Sequence, residues 1–344
     1  MELLKLYEDV GRVIDSVDFD ALWRGFKRCD FALYDDAQVV LNGELRPKTD
    51  EFLANTAILY EGRYIAIWHV AEELDIDVLA SKLVHEMFHA YQYECGESRF
   101  PDEFAALRDY EYSPQYMCLK QAENERLAAA FEEGGARAFA DFLALRKRRR
   151  EEYPYQYAYE SSVEAVEGSA QYVELQVLRA RCTAQYERAR RRALGSVADV
   201  QRLMPVRIQC YDVGALTIEA CLRYGVELNL EVGATSEFLI PDEALDNAEG
   251  ECGIEYNAVV AQLYEEKLGA NRARIESIRR TGEKVAEGEF ELLGVNVYSA
   301  THTDGYIYTE YFLMYGDVDG PVTLYGNYLV RLEHGKITEI YMER

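Results

Sequence analysis

Long apolar runs are missing from this sequence. No stretch of about 18 apolar residues occurs, so no membrane-spanning helix is expected. Positive charge is scarce too: 37 basic residues stand against 62 acidic ones, a net charge of −25, and a surface of that sign repels nucleic acid and anionic membranes. The seven cysteines (Cys29, Cys95, Cys118, Cys182, Cys210, Cys221 and Cys252) are odd in number, scattered and never spaced C-x-x-C. That pattern fits a reduced, cytoplasmic setting in which the thiols serve mostly as small core residues. The opening "MELLKLYEDVGRVIDSVDFD" places no apolar stretch behind a basic start, so no signal peptide is expected. No internal repeat is found.

What is present is a chain of 344 residues, about half of them apolar and 27 of them tyrosine. This is a folded globular chain long enough to bury a sizeable core. The first 30 residues carry apolar positions at helical spacing. "FALYDDAQVVLNG" then has strand character, and "TAILYEGRYIAIWHV" reads as a hairpin turning at Glu61-Gly62. Helical patterns dominate from Asp75 to about Arg280, with Asp75 or Asp77 as cap of the first helix. From Gly288 onward, β-branched and aromatic residues alternate with polar ones, broken at Asp304-Gly305, Asp319-Gly320 and His334-Gly335. That predicts antiparallel hairpins, in a segment small enough to need packing against the helices. The basic runs "RKRRR" (146–150) and "RARRR" (188–192) are expected on solvated helix faces beside local acids.

The chemistry concentrates in "KLVHEMFHAYQ", residues 82–92. Residues four apart on an α-helix are separated by about 40° around the axis, so His85 and His89 project from one face and reach one metal ion. Glu86 lies about 100° round from His85, beside the metal rather than on it, where a general base acting on a bound water would sit. Ile76, Val78, Leu79, Leu83, Val84, Met87 and Phe88 leave almost no polar outlet for the two imidazoles, and a metal would satisfy both. A zinc site with an open position needs a third protein ligand. Glu94 falls on the opposite helix face, and no third histidine follows where the His-Glu-x-x-His-x-x-Gly-x-x-His pattern would place one, Cys95 and Gly96 standing there instead. Candidate acids remain in "VEAVEGSAQYVELQVL" (163–178) and in "QAENERLAAAF", which holds Glu123 and Glu125. The plain alternative is that Glu164, Glu167 and Glu174 decorate a solvated helix face.

Within the first of these stretches, "VEGSAQYVE" resembles the third-ligand helix of gluzincin metallopeptidases, nearest the thermolysin-like zinc aminopeptidases, where the ligand glutamate directly precedes Gly-x-Ala-x-Tyr. The resemblance implies Zn²⁺ held by His85, His89 and Glu167, ahead of the rivals Glu164, Glu123 and Glu125. Small residues at Gly168 and Ala170 would let this helix approach the histidine helix closely. "QCYDVGALTIEACLRYG" (209–225) also resembles these enzymes, which carry a tyrosine three positions before a glycine at the start of an apolar helix. That implies Tyr211 as an oxyanion donor across the cleft from Glu86. Two departures stand out. Glu167 follows His89 by 78 positions, which implies an insertion of one or two long helices, and the amine-binding Gly-x-Met-Glu-Asn segment is missing. "RYIAIW" (63–68) takes its place and is expected as an edge strand able to pair with an extended peptide. His69, just after it, is expected to be structural or substrate-facing.

The resemblance covers about residues 55–225. The N-terminal helices and the β tail lie outside it, and the expected fold is α+β: a mostly helical, thermolysin-like catalytic region over 1–282 with a small β element above the metal helix, then an antiparallel β region over 283–344. The expected activity is zinc-dependent hydrolysis of peptide bonds in a peptide or protein substrate, with Glu86 as general base, and endopeptidase or peptide-trimming action is as well supported as exopeptidase action. The alternatives are an inactive peptide-binding protein on the same scaffold and a zinc hydrolase of non-peptide amides or esters.

Overall fold

The computed structural model describes residues 3–72, 74–318 and 320–344. The fold is α+β, about 50% helix and 20% strand, with two separate sheets. The chain opens with α1 (Leu3–Ile14) and the single turn α2 (Phe19–Leu22). Residues 23–30 leave the helix, so helix over the whole of the first 30 residues does not hold. There follow β1 (Phe31–Tyr34), β2 (Gln38–Leu41), β3 (Glu44–Pro47), β4 (Thr56–Tyr60) and β5 (Arg63–His69). They form one sheet in the order β3-β2-β1-β5-β4, in which β5 runs parallel to β1 and antiparallel to β4.

The segment "RYIAIW" is therefore an interior strand, paired on both sides. The parallel bonds to Phe31–Tyr34 cover the edge that the sequence had left free for a peptide, and β4 is the edge strand on that side of the sheet instead.

Beneath β4 and β5 lies α3 (Ile76–Glu94), the helix of the two histidines. Asp75 starts it: Oδ1 accepts hydrogen bonds from the backbone N–H groups of Asp77 (3.0 Å) and Val78 (3.3 Å). Leu83, Val84, Met87 and Phe88 on α3 share one core with Leu6 and Val10 of α1 and with Phe31 and Leu33 of β1. A helix covered this completely is anchored rigidly, which a precise site requires.

The helical body continues with α4 (Glu103–Asp109), α5 (Pro114–Ala129), α6 (Ala136–Glu152) and α7 (Pro154–Val163). At Glu164–Gly168 the helix widens into one π-helical turn before resuming as α8 (Ser169–Arg181), which lies alongside α3. Such single-turn insertions re-aim side chains and recur at functional sites. Next are α9 (Thr183–Ala198), α10 (Arg207–Tyr224), the short α11 (Asp242–Asp246) and α12 (Ala258–Thr281). The stretch 225–257 is mostly irregular rather than helical, apart from α11. It packs over the end of α3, where the buried Arg99 guanidinium donates to the carbonyls of Glu231 (2.7 Å) and Glu237 (3.2 Å).

The first basic run is not a solvated face. Arg146 and Arg149 are 2% and 0% exposed, in a network with Lys120, Glu123, Glu160 and Glu164. Their partners come from α5, α7 and the π turn, not from neighbours on α6, so sequence proximity to acids was misleading. Lys147, Arg148 and Arg150 bond at the surface, and in the second run Arg190 pairs with Glu219 (3.0 Å). Of the cysteines, Cys118, Cys210 and Cys221 are buried, the other four are not, and all seven are free thiols.

The C-terminal strands are β6 (Glu283–Val295), β7 (Thr301–Thr303), β8 (Tyr306–Thr309), β9 (Phe312–Asp317), β10 (Gly320–Tyr325), β11 (Tyr328–Glu333) and β12 (Lys336–Met342). They make an antiparallel sheet in the order β10-β9-β6-β12-β11-β8-β7. The turns at Asp304-Gly305 (φ 51° and 79°) and His334-Gly335 (φ 51° and 79°) have the left-handed pair of residues that tight hairpins require. Asp319 lies outside the described residues. Ile275 and Ile278 of α12 pack on Tyr306, Tyr308 and Leu329, which seats this sheet on the helical body. No helix among the described residues is long and apolar enough to cross a membrane.

Candidate metal centre

Two histidines of α3 and a carboxylate 78 positions further along the chain meet on the buried face of this helix. His85 Nε2 and His89 Nε2 lie 3.2 Å apart, and Glu167 Oε2, from the π turn, is 3.1 Å from His89 Nε2 and 3.8 Å from His85 Nε2. Two imidazole nitrogens and a carboxylate oxygen are the donor types zinc prefers. At Zn–N and Zn–O lengths of about 2.0–2.1 Å, the edge of a ligand tetrahedron is about 3.3–3.4 Å. The three observed separations bracket that value. The donor set therefore fits a small tetrahedral cation once His85 and Glu167 close by about 0.4 Å.

The outward nitrogens are also held. Gln92 Oε1 lies 2.8 Å from His89 Nδ1, and Gln92 Nε2 donates to the carbonyl of Val166 at 3.0 Å. One side chain thus orients an imidazole and ties α3 to the turn that carries Glu167. Glu174 Oε2 faces His85 Nδ1 at 3.4 Å, close enough for ion pairing, though the angle is poor for a hydrogen bond. Lys82 stands 3.7 Å behind Glu174. Partners of this kind fix the tautomer and ring orientation of metal-binding histidines.

The electrostatics favour positive charge at the two Nε2 atoms. Burial alone would push the His85 pKa down, but Glu167 and Glu174 outweigh it and raise it to about 10. His89 is raised likewise, against burial, by Glu167. For Glu167 burial works upward, yet the two histidines and Arg207 hold it well below the ordinary carboxylate value. A divalent cation supplies the charge this arrangement favours.

Glu86 differs from its neighbours. It is buried, with no hydrogen-bond or ion-pair partner among the described residues. Burial raises its pKa, with the two histidines opposing. An uncommitted carboxylate of raised pKa beside a cation site has the character of a general base.

Tyr211, in the first turns of α10, lies parallel to the His85 ring with centroids 6.4 Å apart. Its hydroxyl is 3.2 Å from Tyr298 Oη and accepts from Arg207 Nη1 at 3.2 Å. Burial keeps the phenol protonated, well above its usual pKa, so it remains a donor. Arg207 organises this wall: Nη2 donates to Glu167 Oε1 (3.1 Å) and Nε stands 3.0 Å from Glu103 Oε1. Glu167 thus turns one oxygen to the histidines and the other to Arg207. Tyr298 comes from the β6–β7 connection, so the C-terminal region contributes to the site directly.

Gly168 and Gly214 are where the π turn meets α10. A Cβ on Gly168 would lie 2.6 Å from the Gly214 Cα. The small residue after Glu167 therefore serves contact with the tyrosine helix. Ala170 is the one that packs in the core shared with α3.

The rival acids are committed elsewhere. Glu123 and Glu164 bind Arg146 (3.0 Å and 2.5 Å) in the buried network, and Glu125 accepts from Gln121 at 2.9 Å. Glu160, Glu164 and Cys210 form a second cluster of possible donors. Its carboxylates are already matched by Lys120, Arg146 and Arg149, and burial lifts the Cys210 thiol well above its usual pKa. His69 stacks on Tyr34 and pairs with Asp36 at 3.3 Å. Glu164 and Glu174 are both buried, so neither decorates a solvated face.

Sequence reasoning did not find Arg207, Glu103, Gln92 or Tyr298, and gave Glu174 no role. Gln92 alone had a local signal, three residues after His89 on the same face. Comparison with known proteins adds nothing to this geometry: no family model, no curated protein and no solved structure matches the chain.

Proposed function

We propose that this chain is a zinc-dependent peptidase of the gluzincin, thermolysin-like type, acting on peptide or protein substrates in the cytoplasm. The observation that carries the proposal is the near-tetrahedral spacing of His85 Nε2, His89 Nε2 and Glu167 Oε2, with an uncommitted buried carboxylate, Glu86, next to His85 in the same helix. His85, His89 and Glu167 would hold the ion, which when bound supplies a Lewis acid that acidifies water and polarises a carbonyl.

The remaining steps belong to the chain. Glu86 accepts the proton released as water attacks the scissile carbonyl, and returns it to the leaving amine; its raised pKa brings it toward the range where both transfers are efficient. The Tyr211 hydroxyl, held by Arg207 and Tyr298, donates to the oxygen on which negative charge develops. The free edge of β4, above α3, offers backbone groups to an extended peptide. Seven unpaired thiols support the cytoplasmic setting.

The test is Glu86→Gln. The variant is expected to bind one zinc per chain by metal analysis and to lose at least about a hundredfold in cleavage of a peptide library, the usual range for a general base. Wild-type turnover by Glu86→Gln refutes the mechanism. A zinc-loaded wild type that cleaves no peptide in the library refutes the peptidase assignment.

A further inference from the structure

Arg207 and Glu103 also line a second cavity, of about 350 Å³, whose lining includes neither histidine of the cluster nor Glu167; the size suits a small organic ligand. It lies between the helical body and the C-terminal sheet. Its apolar wall is built by Leu107, Tyr110, Tyr112, Tyr159 and Met204. One face of α12 closes it: Lys267, Ala270, Asn271 and Arg274 follow at the three- and four-residue steps of a single helix face, and all of them line the space.

The charges in this lining run against the rest of the molecule. The chain has 62 acidic and 37 basic residues, and many surface cations, Lys5, Arg137 and Arg272 among them, pair with an acid. Lys267 and Arg274 make no ion pair among the described residues, although both line the cavity. Arg274 is held by the Tyr308 ring, its guanidinium carbon 4.4 Å from the ring centroid. The one acid in the lining, Glu103, is already satisfied: Tyr159 donates to it at 2.9 Å, and Arg207 lies at 3.0 Å. His302, also in the lining, is kept toward its neutral form by burial. The cavity thus combines an aromatic floor with two cations on one helix face that make no ion pair among the described residues.

We propose that this cavity is a binding site for a small organic monoanion, an aromatic or branched apolar body bearing one carboxylate. The body lies against the tyrosines and Met204, and the carboxylate meets Lys267 and Arg274. The site is distinct from the histidine cluster, and binding there does not require metal.

Isothermal titration of the full chain in chelator, with sodium 3-phenylpropionate as probe, tests this. One probe per chain is expected. The neutral analogue 3-phenylpropan-1-ol should bind at least tenfold more weakly, and inorganic phosphate, which lacks the apolar body, should be weaker as well. Lys267→Gln with Arg274→Gln should cut affinity for the acid at least tenfold and leave the melting profile unchanged. Met204→Trp, which fills the cavity from the apolar side, should abolish binding by a route that leaves the cations in place. The proposal is overturned if the acid does not bind, if the alcohol or phosphate binds as tightly, or if the folded double variant binds the acid like the wild type. Because no metal is used, this outcome is independent of the Glu86→Gln result.

Discussion

Arg149→Met is the perturbation whose consequence the structure specifies most fully. The Arg149 side chain is 0% exposed, with Nε 2.6 Å from Glu123 Oε2 and Nη1 2.9 Å from Glu160 Oε2. Around it, Arg146 bonds Glu123 and Glu164, and Lys120 lies 2.9 Å from Glu160. Lys120, Arg146 and Arg149 thus balance Glu123, Glu160 and Glu164. Methionine fills much of the same volume, so the change is mainly one of charge. It leaves two cations against three carboxylates where no water reaches them. Removing one partner of a buried pair costs about 3–5 kcal/mol. Against a total stability of about 5–15 kcal/mol, that is a large fraction. Adding Glu160→Gln restores the balance while its amide oxygen still accepts from Tyr110 and Tyr116, so the double variant should regain at least about half of the loss. Urea unfolding followed by far-ultraviolet dichroism and by tyrosine fluorescence gives the values, with coincident transitions as the check on two-state behaviour. A single-variant loss below about 1 kcal/mol, or a double variant less stable than the single one, refutes the reasoning that this is a charge-balanced buried network.

Two further expectations concern the candidate metal centre. Glu174→Ala takes away the carboxylate facing His85 Nδ1 and should weaken zinc binding about 10- to 100-fold in competition with a chelator; unchanged affinity would deny Glu174 an orienting role. In the metal-free protein, His85 has a folded pKa raised from 6.5 to about 10, so its stabilising contribution is complete below 6.5 and disappears as pH climbs toward 10. The lowered Glu167 works the other way, contributing above 4.5 and losing that contribution in acid. The stability gap between wild type and His85→Gln in chelator should therefore shrink steadily from about pH 6 to about pH 9, and a gap that widens over that window would contradict the pairing.

The convergence of the candidate ligands was readable in large part because its signals are local. His85, Glu86 and His89 sit on one helical repeat, and Glu167 is marked by the small residues that follow it. Hairpins announced themselves in the same way, since Glu61-Gly62, Asp304-Gly305 and His334-Gly335 demand left-handed backbone. What stayed hidden depends on long-range pairing. Residues 63–68 have the composition of an edge or an interior strand alike, and only the parallel partner 35 positions earlier, Ala32 to Ile67, decides between them. A run of arginines on a helix looks the same whether water or Glu123, Glu160 and Glu164 neutralise it. Arg207 reaches Glu103 and Glu167 across about a hundred and 40 positions of sequence respectively, and nothing in its own neighbourhood marks it. Tyr298 was one of 27 tyrosines, in a region read only for its strands.

That last tyrosine ties the order of synthesis to the finished centre. The histidines, Glu86, Glu167 and Tyr211 have all emerged from the ribosome before the phenol at position 298 exists, and its contact with Tyr211 forms only once the terminal sheet docks on α12. A nascent or prematurely ended chain would carry all three donor groups with one side of the cleft unwalled. The β6–β7 connection is in this sense the last part of the candidate centre to arrive.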